Sequence, residues 1–274
     1  MGKLDLDFAA LLVALSLFTG VVWAIDHFAF RKKRLARDPD AKEPVLVEYC
    51  RSFFPVIFAV LLIRSFLAEP FRIPSDSMMP TLLDGDFILV NKFAYGIRVP
   101  VVNKKVIDIG EPERGDVVVF RYPGYANRPD DPTIGTDYIK RIVGLPGDEV
   151  TYRDRILYVN GQKVDAKVVG AYNGISAARD YKNYATIEEH LGDVTHQALL
   201  GPPPLFANGE EGTWRVGQNE FLVIGDNRSN SEDGRYWGMV PEANLVGKAF
   251  LIWFNWDRRG GGGIQFRRIG TVIH

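Results

Sequence analysis

The sequence predicts a mainly β domain that follows two N-terminal transmembrane helices. Three observations predict it: two long apolar stretches in the first quarter of the chain, short apolar runs bounded by Gly, Pro or Asp beyond residue 70, and an Asn160-Gly161 pair between strand-forming residues. The chain has 274 residues, of which 46% are hydrophobic and 24% charged, a composition typical of a folded protein. Because its net charge is −1, we expect no nucleic-acid partner.

The first apolar stretch, residues 8–25, contains 18 residues without a charge. As a helix it would extend about 27 Å, which nearly crosses the hydrocarbon core of a bilayer. A cleaved signal peptide carries its basic residues before the apolar run, whereas here the basic cluster 31–34 follows it. The positive-inside rule then places the N-terminus outside the cytoplasm and this cluster inside.

The second apolar stretch predicts a span over 52–68, in which Arg64 reaches outward to the lipid headgroups. Pro55 is expected in the first turn of this helix, where a missing N–H costs little. A buried core helix is the alternative, but the position after a basic loop favours a span. Residues 1–68 are therefore predicted to form a membrane anchor, with a cytoplasmic loop over 26–51.

Residues 69–274 are predicted to form a folded domain outside the cytoplasm, built mainly from strands. Four apolar runs predict strands at 86–91, 116–120, 220–224 and 245–254. The Asn160-Gly161 pair predicts a two-residue hairpin, because both residues tolerate the positive φ of such turns. Residues from about 165 to 211 depart from this pattern and predict a mixed insertion, partly helical over AARDYKNYATIEEHLG and irregular over GPPPLFANGEEG.

The positions of the four histidines and the presence of a single cysteine argue against a Ser/His/Asp triad, a disulfide and a multi-cysteine metal site. His27 and His274 lie at the membrane boundary and at the last residue, while His190 and His196 lie in the insertion. No G-x-S-x-G elbow or S-x-x-K motif is present, so a Ser/His/Asp mechanism is not expected. The lone Cys50 excludes an intramolecular disulfide and a multi-cysteine metal site.

Three further stretches contain residues that could carry chemistry: FRIPSDSMMPTL at 71–82, DYIKRIVGLPGD at 137–148 and GDNRSNSEDGRYWG at 225–238. Taken singly, each has an ordinary structural interpretation: a turn serine between prolines, an edge-strand lysine that blocks aggregation, and a polar loop. Strand alternation places Lys140 on the same face as two apolar residues, Tyr138 and Ile142. That face is unusual for a lysine.

Together, the patterns S-x-S-M-x-P-T-L, D-Y-I-K-R-I-V-G-L-P-G-D and G-D-N-R-x-N-S-x-D-x-R-Y-W-G, in this order after two spans, resemble the bacterial type I signal peptidase family. The resemblance covers the outer domain and the membrane topology. It implies a Ser/Lys dyad on a β fold, with Ser77 as the nucleophile and the neutral amine of Lys140 as the general base. It also implies an oxyanion hole formed by the Ser77 N–H and the Ser75 hydroxyl.

The third motif implies residues that support the dyad. By the same resemblance Ser231 would orient Lys140, and Asp233 and Arg235 would form a structural pair beneath the site. Two positions depart from the family, because Asp76 stands where glycine is common and Ser229 where aspartate is common. Neither departure carries a proton in the implied chemistry, so both are expected to be tolerated.

A lysine base requires a lowered pKa. Bringing a lysine from a pKa near 10.4 to about 8 takes roughly 3 kcal/mol of differential solvation, which burial on an apolar face supplies. The resemblance implies no metal and no cofactor. Its implied location is the bacterial inner membrane, in contact with membrane lipids and with the catalytic domain on the periplasmic side.

The implied substrate is an exported preprotein, cut after a small-x-small motif that follows its apolar signal segment. An extended peptide sends alternate side chains to one face, so two small residues would enter neighbouring pockets. The matched motifs offer five candidates for lining these pockets: Ile73, Met78, Leu82, Tyr138 and Ile139. Phe71 and the aromatic cluster at 253–256 are interpreted either as a membrane-interface contact or as ordinary core.

Two other functions are compatible with some of these sequence features. Self-cleaving repressors resemble the family in their Ser/Lys core, but they need a DNA-binding domain where this chain has two apolar stretches. A catalytically inactive, membrane-anchored binding protein of the same fold predicts loss of the nucleophile or the base, yet Ser77 and Lys140 are both present.

Overall fold

The computed structural model describes residues 8–66, 68–98, 105–174, 180–201, 211–259 and 262–274. By its internal contacts the chain divides into two compact units: Met1–Glu69 with Gly96–Asp108, and Pro70–Tyr95 with Ile109–His274. The first unit contains the apolar helices and the second contains most of the strands. The predicted fold class, two apolar helices followed by a mainly β domain, is confirmed.

The N-terminal helices are long and apolar enough to cross a membrane by length and composition. Helix α1 covers Phe8–Ile25, as predicted, and continues through a π-helical turn, Asp26–Phe30, into α2, Arg31–Arg37. Helix α3 covers Val45–Phe66. Helices α1 and α3 pack closely, because a Cβ added at Gly20 would stand 2.7 Å from the ring of Phe54.

Helix α3 begins earlier than the hydropathy pattern predicts. It starts at Val45 rather than at residue 52, so Pro55 lies inside the helix and not in its first turn. The carbonyl of Pro44 accepts the N–H groups of Val47 and Glu48 at 2.9 and 3.1 Å, which makes the helix start directly after a proline. The connection over 26–51 is therefore largely helical. The side chain of Arg64 lies outside the described residues.

The strands are, in chain order, β1 Glu69–Arg72, β2 Asp86–Asn91, β3 Ile97–Arg98, β4 Lys105–Ile107, β5 Val117–Arg121, β6 Asp137–Gly144, β7 Glu149–Arg153, β8 Ile156–Val159, β9 Gln162–Lys163, β10 Asp165–Ala171, β11 Ala185–Leu191, β12 Val194–Leu200, β13 Gly212–Arg215, β14 Glu220–Ile224, β15 Val240–Pro241, β16 Leu245–Asn255 and β17 Thr271–Val272. A short helix, α4, covers Gly234–Trp237. The four predicted strands correspond to β2, β5, β14 and β16, within one residue at each end.

The largest sheet has eight strands in the order β1-β2-β16-β5-β6-β14-β15, with β17 paired to β16. Strand β6 lies between β5 and β14 and pairs antiparallel with both. A second sheet has the order β13-β7-β8-β9, and its β8–β9 hairpin turns at Asn160 and Gly161, whose φ values are 52° and 75°. The predicted two-residue hairpin is confirmed.

Among the described residues, the helical part of the predicted insertion is limited to one short 3-10 turn at residues 180–181, and most of the rest is strand. Strands β10, β11 and β12 form a three-stranded antiparallel sheet, and β11 and β12 are joined by Gly192 and Asp193, with Leu191 opposite Val194. The Glu-rich segment ATIEEHL favours a helix locally, but alternate side chains of β11 are buried, which is the pattern of a strand. A Gly-Asp pair between strands is a hairpin signal. Residues 175–179 and 202–210 of the predicted insertion lie outside the described residues.

Candidate active site

Ser77 lies in a turn between β1 and β2 that apolar side chains anchor. Met78, Met79 and Leu82 have 0% of their surface exposed. The N–H groups of Met79 and Leu82 donate to the carbonyls of Asp76 and Met78 at 3.1 and 2.9 Å. Ser77 itself is partly exposed. The turn is therefore anchored by buried side chains, while Ser77 keeps part of its surface exposed.

Lys140 lies in the middle of β6, directly opposite Val118 of β5. Its side chain is buried, with 3% of its surface exposed. Its Nζ lies 2.6 Å from Ser77 Oγ and 3.0 Å from the carbonyl oxygen of Ile139, and stands 5.7 Å from the centre of the Tyr138 ring. The structure therefore brings together the two residues that the motifs single out, at hydrogen-bond distance.

Burial lowers the pKa of Lys140 to about 8, from 10.5 for an ordinary lysine. The carboxylates of Asp233, Asp226 and Glu232 oppose this shift, since each favours the charged ammonium. Desolvation wins because the amine is enclosed. At a pH near 8 about half of the molecules carry a neutral amine, which is able to accept a proton from a hydroxyl 2.6 Å away.

Ser75 lies on the solvent side of the same turn. Its Oγ is 3.4 Å from Ser77 Oγ, and its side chain is exposed. The Ser75 hydroxyl therefore stands beside the Ser77 hydroxyl.

The loop after β14 passes behind Ser77 at Gly225. A Cβ added at Gly225 would stand 2.2 Å from Ser231 Oγ and 2.5 Å from the carbonyl oxygen of Ser77, so only glycine allows this approach. In the part of the chain that the structure describes, the hydrogen bonds of Lys140 Nζ go to Ser77 and to Ile139, and none goes to Ser231. An orienting role of Ser231 toward Lys140 remains a prediction.

Asp233 and Arg235 form a buried pair below this loop. Arg235 Nε donates to Asp233 Oδ1 at 2.8 Å, and the Gly225 N–H donates to Asp233 Oδ2 at 2.9 Å. Arg235 also donates to the carbonyl of Arg228 at 2.7 Å. Burial by itself would raise the pKa of Asp233, but the Arg235 guanidinium and these hydrogen bonds hold it below its usual value. The pair fastens both ends of the loop.

Arg141, Asp226 and Thr81 lie within the three motifs but were not among the predicted site residues. Arg141 Nε and Nη2 donate to the two carboxylate oxygens of Asp226 at 2.8 and 2.7 Å. The Thr81 hydroxyl donates to Asp226 Oδ2 at 2.5 Å. These contacts connect the Ser77 turn, β6 and the loop after β14. Alternation along β6 was the available signal, since it places Arg141 on the face opposite Lys140.

His196 is buried near this ion pair but away from the dyad. Its Nε2 lies 3.4 Å from Glu189 Oε2 and 3.7 Å from Asp226 Oδ1. Burial lowers its pKa to about 4, so the ring is neutral at physiological pH. The other described histidines are not hydrogen-bonded to Ser77 or Lys140 either. None of the described histidines therefore occupies the position beside Ser77 Oγ that Lys140 Nζ takes.

The five candidate pocket residues fall into two groups. Ile73, Met78, Leu82 and Ile139 belong to one hydrophobic cluster beneath the Ser77 turn, where Ile139 is 8% exposed and Met78 and Leu82 are 0% exposed. Tyr138 is partly exposed and packs on a second cluster. Phe71 packs partly buried on the first cluster. The first cluster forms an apolar floor next to Ser77.

The aromatic cluster near the end of β16 is divided between surface and core. Trp253 and Trp256 are 44% and 47% exposed. The ring of Phe254 packs against Phe87 with centroids 5.6 Å apart, and Asn255 is buried with its amide donating to Asp86. The two tryptophans present apolar surface to the surroundings of the domain.

Comparison with known proteins agrees with this geometry. The family described as "Signal peptidase, peptidase S26" matches residues 46–256. A protein named signal peptidase I from Pseudomonas fluorescens is 45% identical over 98% of this chain and 100% of its own length. The protein of the same name from Pseudomonas aeruginosa is 44% identical over 99% of this chain and 100% of its own length.

A solved structure of a signal peptidase I from Enterococcus faecalis is 27% identical, covers 52% of this chain and 98% of its own, and has a TM-score of 0.30, too low to support an argument. The family match spans the Ser77 turn, Lys140 and the loop that holds Asp233. The two full-length relatives carry the same description over nearly the whole chain. This chain therefore belongs to the signal peptidase family, peptidase S26.

Proposed function

We propose that this protein is a membrane-anchored serine endopeptidase that removes N-terminal signal peptides from exported preproteins. Ser77 is the nucleophile and Lys140 is the general base. The observation that carries the proposal is the 2.6 Å separation of Lys140 Nζ and Ser77 Oγ at a lysine that is buried. A buried, neutral amine at that distance is a base suited to a hydroxyl nucleophile.

In the acylation step, the Ser77 hydroxyl donates its proton to Lys140 while Oγ attacks the carbonyl carbon of the scissile peptide bond. The Ser77 N–H and the Ser75 hydroxyl donate to the developing oxyanion, which is a role supported by the 3.4 Å separation of the two hydroxyl oxygens. The Lys140 ammonium then protonates the leaving amine. Lys140, neutral again, takes a proton from the water that hydrolyses the acyl-enzyme and returns it to Ser77.

The substrate preference follows from the apolar floor beside Ser77. A cleavage site with small residues at positions −1 and −3 places both side chains on one face of an extended peptide. Of the candidate lining residues, Tyr138 is partly exposed and Ile139 keeps 8% of its surface exposed, whereas Ile73 is buried. Met78 and Leu82 support these residues from below. Bulky neighbours at this floor leave room only for small side chains.

The proposed location is the bacterial inner membrane, with the catalytic domain on the periplasmic side. Two apolar helices and the basic cluster 31–34 support an anchor of this orientation. A substrate held in the membrane by its signal segment then meets the enzyme in the same plane. The exposed Trp253 and Trp256 are candidates for contact with the lipid headgroups.

The two rival functions fit less well. An inactive binding protein of this fold is not supported by the family match or by a nucleophile and base in hydrogen-bond contact. A self-cleaving repressor needs a DNA-binding domain, but the first 68 residues contain the two apolar helices instead.

The test is incubation of the detergent-solubilised protein with a preprotein that contains an A-x-A site, followed by mass measurement of both products. We expect one cut after the second alanine, and no cut with Ser77→Ala. Thr151→Ala is the matched control, because the Thr151 hydroxyl bonds to Thr213 in the second sheet and not to Ser77 or Lys140. Cleavage by Ser77→Ala at the wild-type rate would refute the assignment.

A further inference from the structure

The inserted sheet, β10–β12, reaches the catalytic turn through a chain of polar contacts. Tyr181 lies shortly before β11, and its hydroxyl donates to Asp76 Oδ2 at 3.0 Å. Asn230 Nδ2 donates to the same Tyr181 oxygen at 2.7 Å. Asp76 is the residue immediately before Ser77. One tyrosine of the insertion therefore contacts both the turn that carries the nucleophile and the loop after β14.

Apolar packing joins the same two segments. Met79 and Leu83 of the catalytic turn form a hydrophobic cluster with Leu199 of β12. Three partly buried tyrosines of the insertion pack against this cluster: Tyr172, Tyr181 and Tyr184. The insertion therefore covers the underside of the turn, and the hydroxyl of Tyr181 lies at the edge of a packed surface.

The insertion also holds the loop after β14. The Leu199 N–H donates to the carbonyl of Asp226 at 2.8 Å, and the Gly201 N–H donates to Ser229 Oγ at 3.1 Å. Arg228 pairs with Glu189 of β11, its Nη1 donating to Oε1 at 3.0 Å, and both side chains are buried. The segments on both sides of the dyad thus rest on the same inserted sheet.

The carboxylate of Asp76 depends on its few partners. Its Oδ2 accepts from Tyr181 and from Arg259 Nη1, at 3.0 and 3.1 Å. Its Oδ1 is buried and has no hydrogen-bond partner among the described residues. Desolvation raises the pKa of Asp76 even though Tyr181 and Arg259 both act to lower it. Removal of the Tyr181 hydroxyl, the less exposed of the two donors, leaves a partly buried carboxylate that must move or take up a proton.

We propose that Tyr181 is a positioning residue for the cleavage reaction, which acts through Asp76 to hold the Ser77 turn against Lys140. The proposal rests on the proposed function of the Ser77–Lys140 dyad and assigns a role to the inserted sheet. The Asp76 carbonyl strengthens the argument, because it accepts from the Met79 N–H and from Asn227 Nδ2, both at 3.1 Å. A shift of Asp76 therefore moves the backbone on either side of Ser77.

Of the two hydrogen-bond donors to Asp76, Tyr181 and Arg259, Arg259 is expected to hold the carboxylate less firmly. Its side chain is 52% exposed, and its Nε pairs with Asp84 at 2.9 Å in addition to the contact with Asp76. Exposed ion pairs contribute little, so Arg259→Gln is expected to change kcat less than twofold. The hydroxyl of Tyr181, half-buried and bonded to two segments, is the contact that is harder to replace with water.

The test compares two hydroxyl deletions in the full-length protein, on a peptide with an A-x-A site. Tyr181→Phe removes the contact with Asp76. Tyr184→Phe is the matched control, since its ring packs edge-on against Tyr181 at 5.3 Å while its hydroxyl has no hydrogen-bond partner among the described residues. We expect Tyr181→Phe to lower kcat roughly tenfold with little change in KM, and Tyr184→Phe to leave both unchanged.

A double-variant cycle with Asp76→Gly separates positioning from simple stabilisation of the sheet. If Tyr181 acts through Asp76, the effect of Tyr181→Phe on kcat disappears in the Asp76→Gly background. An equal loss of kcat in both backgrounds, or an equal loss with Tyr184→Phe, would overturn the proposal. The thermal midpoints of Tyr181→Phe and Tyr184→Phe are expected to agree.

A second measurement does not depend on activity. Hydrogen–deuterium exchange of residues 75–83 is expected to be faster in Tyr181→Phe than in the wild type and unchanged in Tyr184→Phe. If the wild type shows no cleavage that depends on Ser77, the proposed function fails while this exchange still tests the tether. Equal exchange in the two variants would refute the tether itself.

Discussion

Arg141 and Asp226 form a bidentate ion pair in which the two side chains are 0% and 1% exposed. The guanidinium also donates to the carbonyls of Gly115 and His274, at 2.6 and 2.7 Å. Because neighbouring residues of a strand point to opposite faces, this pair lies behind β6 while Lys140 lies in front of it. The structure therefore places a fixed, fully paired charge behind the strand that carries the proposed base.

This pair predicts a large loss of stability when one partner is removed. Asp226→Ala leaves the Arg141 guanidinium buried without its counter-ion, at a cost of about 3–5 kcal/mol of unfolding free energy. Urea denaturation of the detergent-solubilised protein measures the loss. The control is Glu149→Ala, whose partner Arg215 is 87% exposed, and it is expected to cost less than about 1 kcal/mol. Equal losses for the two variants would show that Asp226 is not needed to neutralise Arg141.

The lowered pKa of Lys140 predicts the pH dependence of cleavage. Only the neutral amine accepts the Ser77 proton, so kcat/KM is expected to rise with pH along a limb with a pKa of about 8. Lys140→Arg is expected to be inactive, since a guanidinium does not lose its proton in the accessible pH range. The measurement is the pH profile of the wild type on an A-x-A peptide. A limb near 10, or activity in Lys140→Arg, would mean that the base is another group.

The same shift predicts that Lys140 destabilises the fold. Burial moves its pKa from 10.5 to about 8, so between these values the unfolded chain binds a proton that the folded chain does not. Stability therefore rises with pH across this window, and at pH 7 the folded state bears the whole penalty, roughly 3 kcal/mol.

We expect Lys140→Met to be more stable than the wild type at pH 7, by up to about 3 kcal/mol, and to lose the rise in stability between pH 8 and 10.5. Lys163→Met, at an exposed position of β9, is the control and is expected to change neither quantity. Thermal unfolding as a function of pH gives both results. A Lys140→Met variant less stable than the wild type at pH 7 would contradict the desolvation argument.

The buried His196 predicts that the free energy of unfolding decreases at acidic pH. Burial lowers its pKa from 6.5 to about 4, so the unfolded chain binds an extra proton between these values, and stability falls as the pH falls from 6.5 to 4. His196→Gln is expected to reduce this acid sensitivity and to retain cleavage at pH 8. His190→Gln, at an exposed position, is the control. A His196→Gln variant as inactive as Ser77→Ala would contradict the Ser/Lys assignment.

The basic cluster 31–34 predicts the orientation of the anchor. A reporter inserted near residue 40 is expected to be cytoplasmic, and a reporter at the C-terminus is expected to be outside the cytoplasm. Protease treatment of intact spheroplasts checks this, because it should remove the C-terminal domain and spare the residue-40 reporter. Protection of the C-terminal domain would reverse the proposed topology.

Local patterns were sufficient where the structure depends on neighbours in the chain. The apolar length of residues 8–25 predicted α1, and short apolar runs predicted β2 and β14 with their observed ends. The Asn160-Gly161 pair predicted its hairpin, because the positive φ of the turn restricts the residues that fit there. The motifs around Ser77 and Lys140 identified the family, which the comparisons confirm.

Local patterns failed where distant contacts outweighed propensity. The segment ATIEEHL belongs to a stretch that was expected to be partly helical, yet it forms β11 because β10 and β12 pair on both sides and Glu189 is neutralised by the buried Arg228. The start of α3 was predicted too late, because Val45–Arg51 is not a continuous apolar run and hydropathy alone does not identify it as helical. The proline at position 44, directly before the helix, was the available signal.

The sequence by itself determined the candidate residues Ser77 and Lys140, strands such as β2 and β14, and the two apolar helices, since each depends on a short run of residues. Only the tertiary structure decided that Lys140 Nζ stands 2.6 Å from Ser77 Oγ, that Arg141 faces Asp226 and that Tyr181 reaches Asp76. These contacts join positions 63, 85 and 105 residues apart. Strand order and side-chain packing set such distances, and no local periodicity in the chain encodes them.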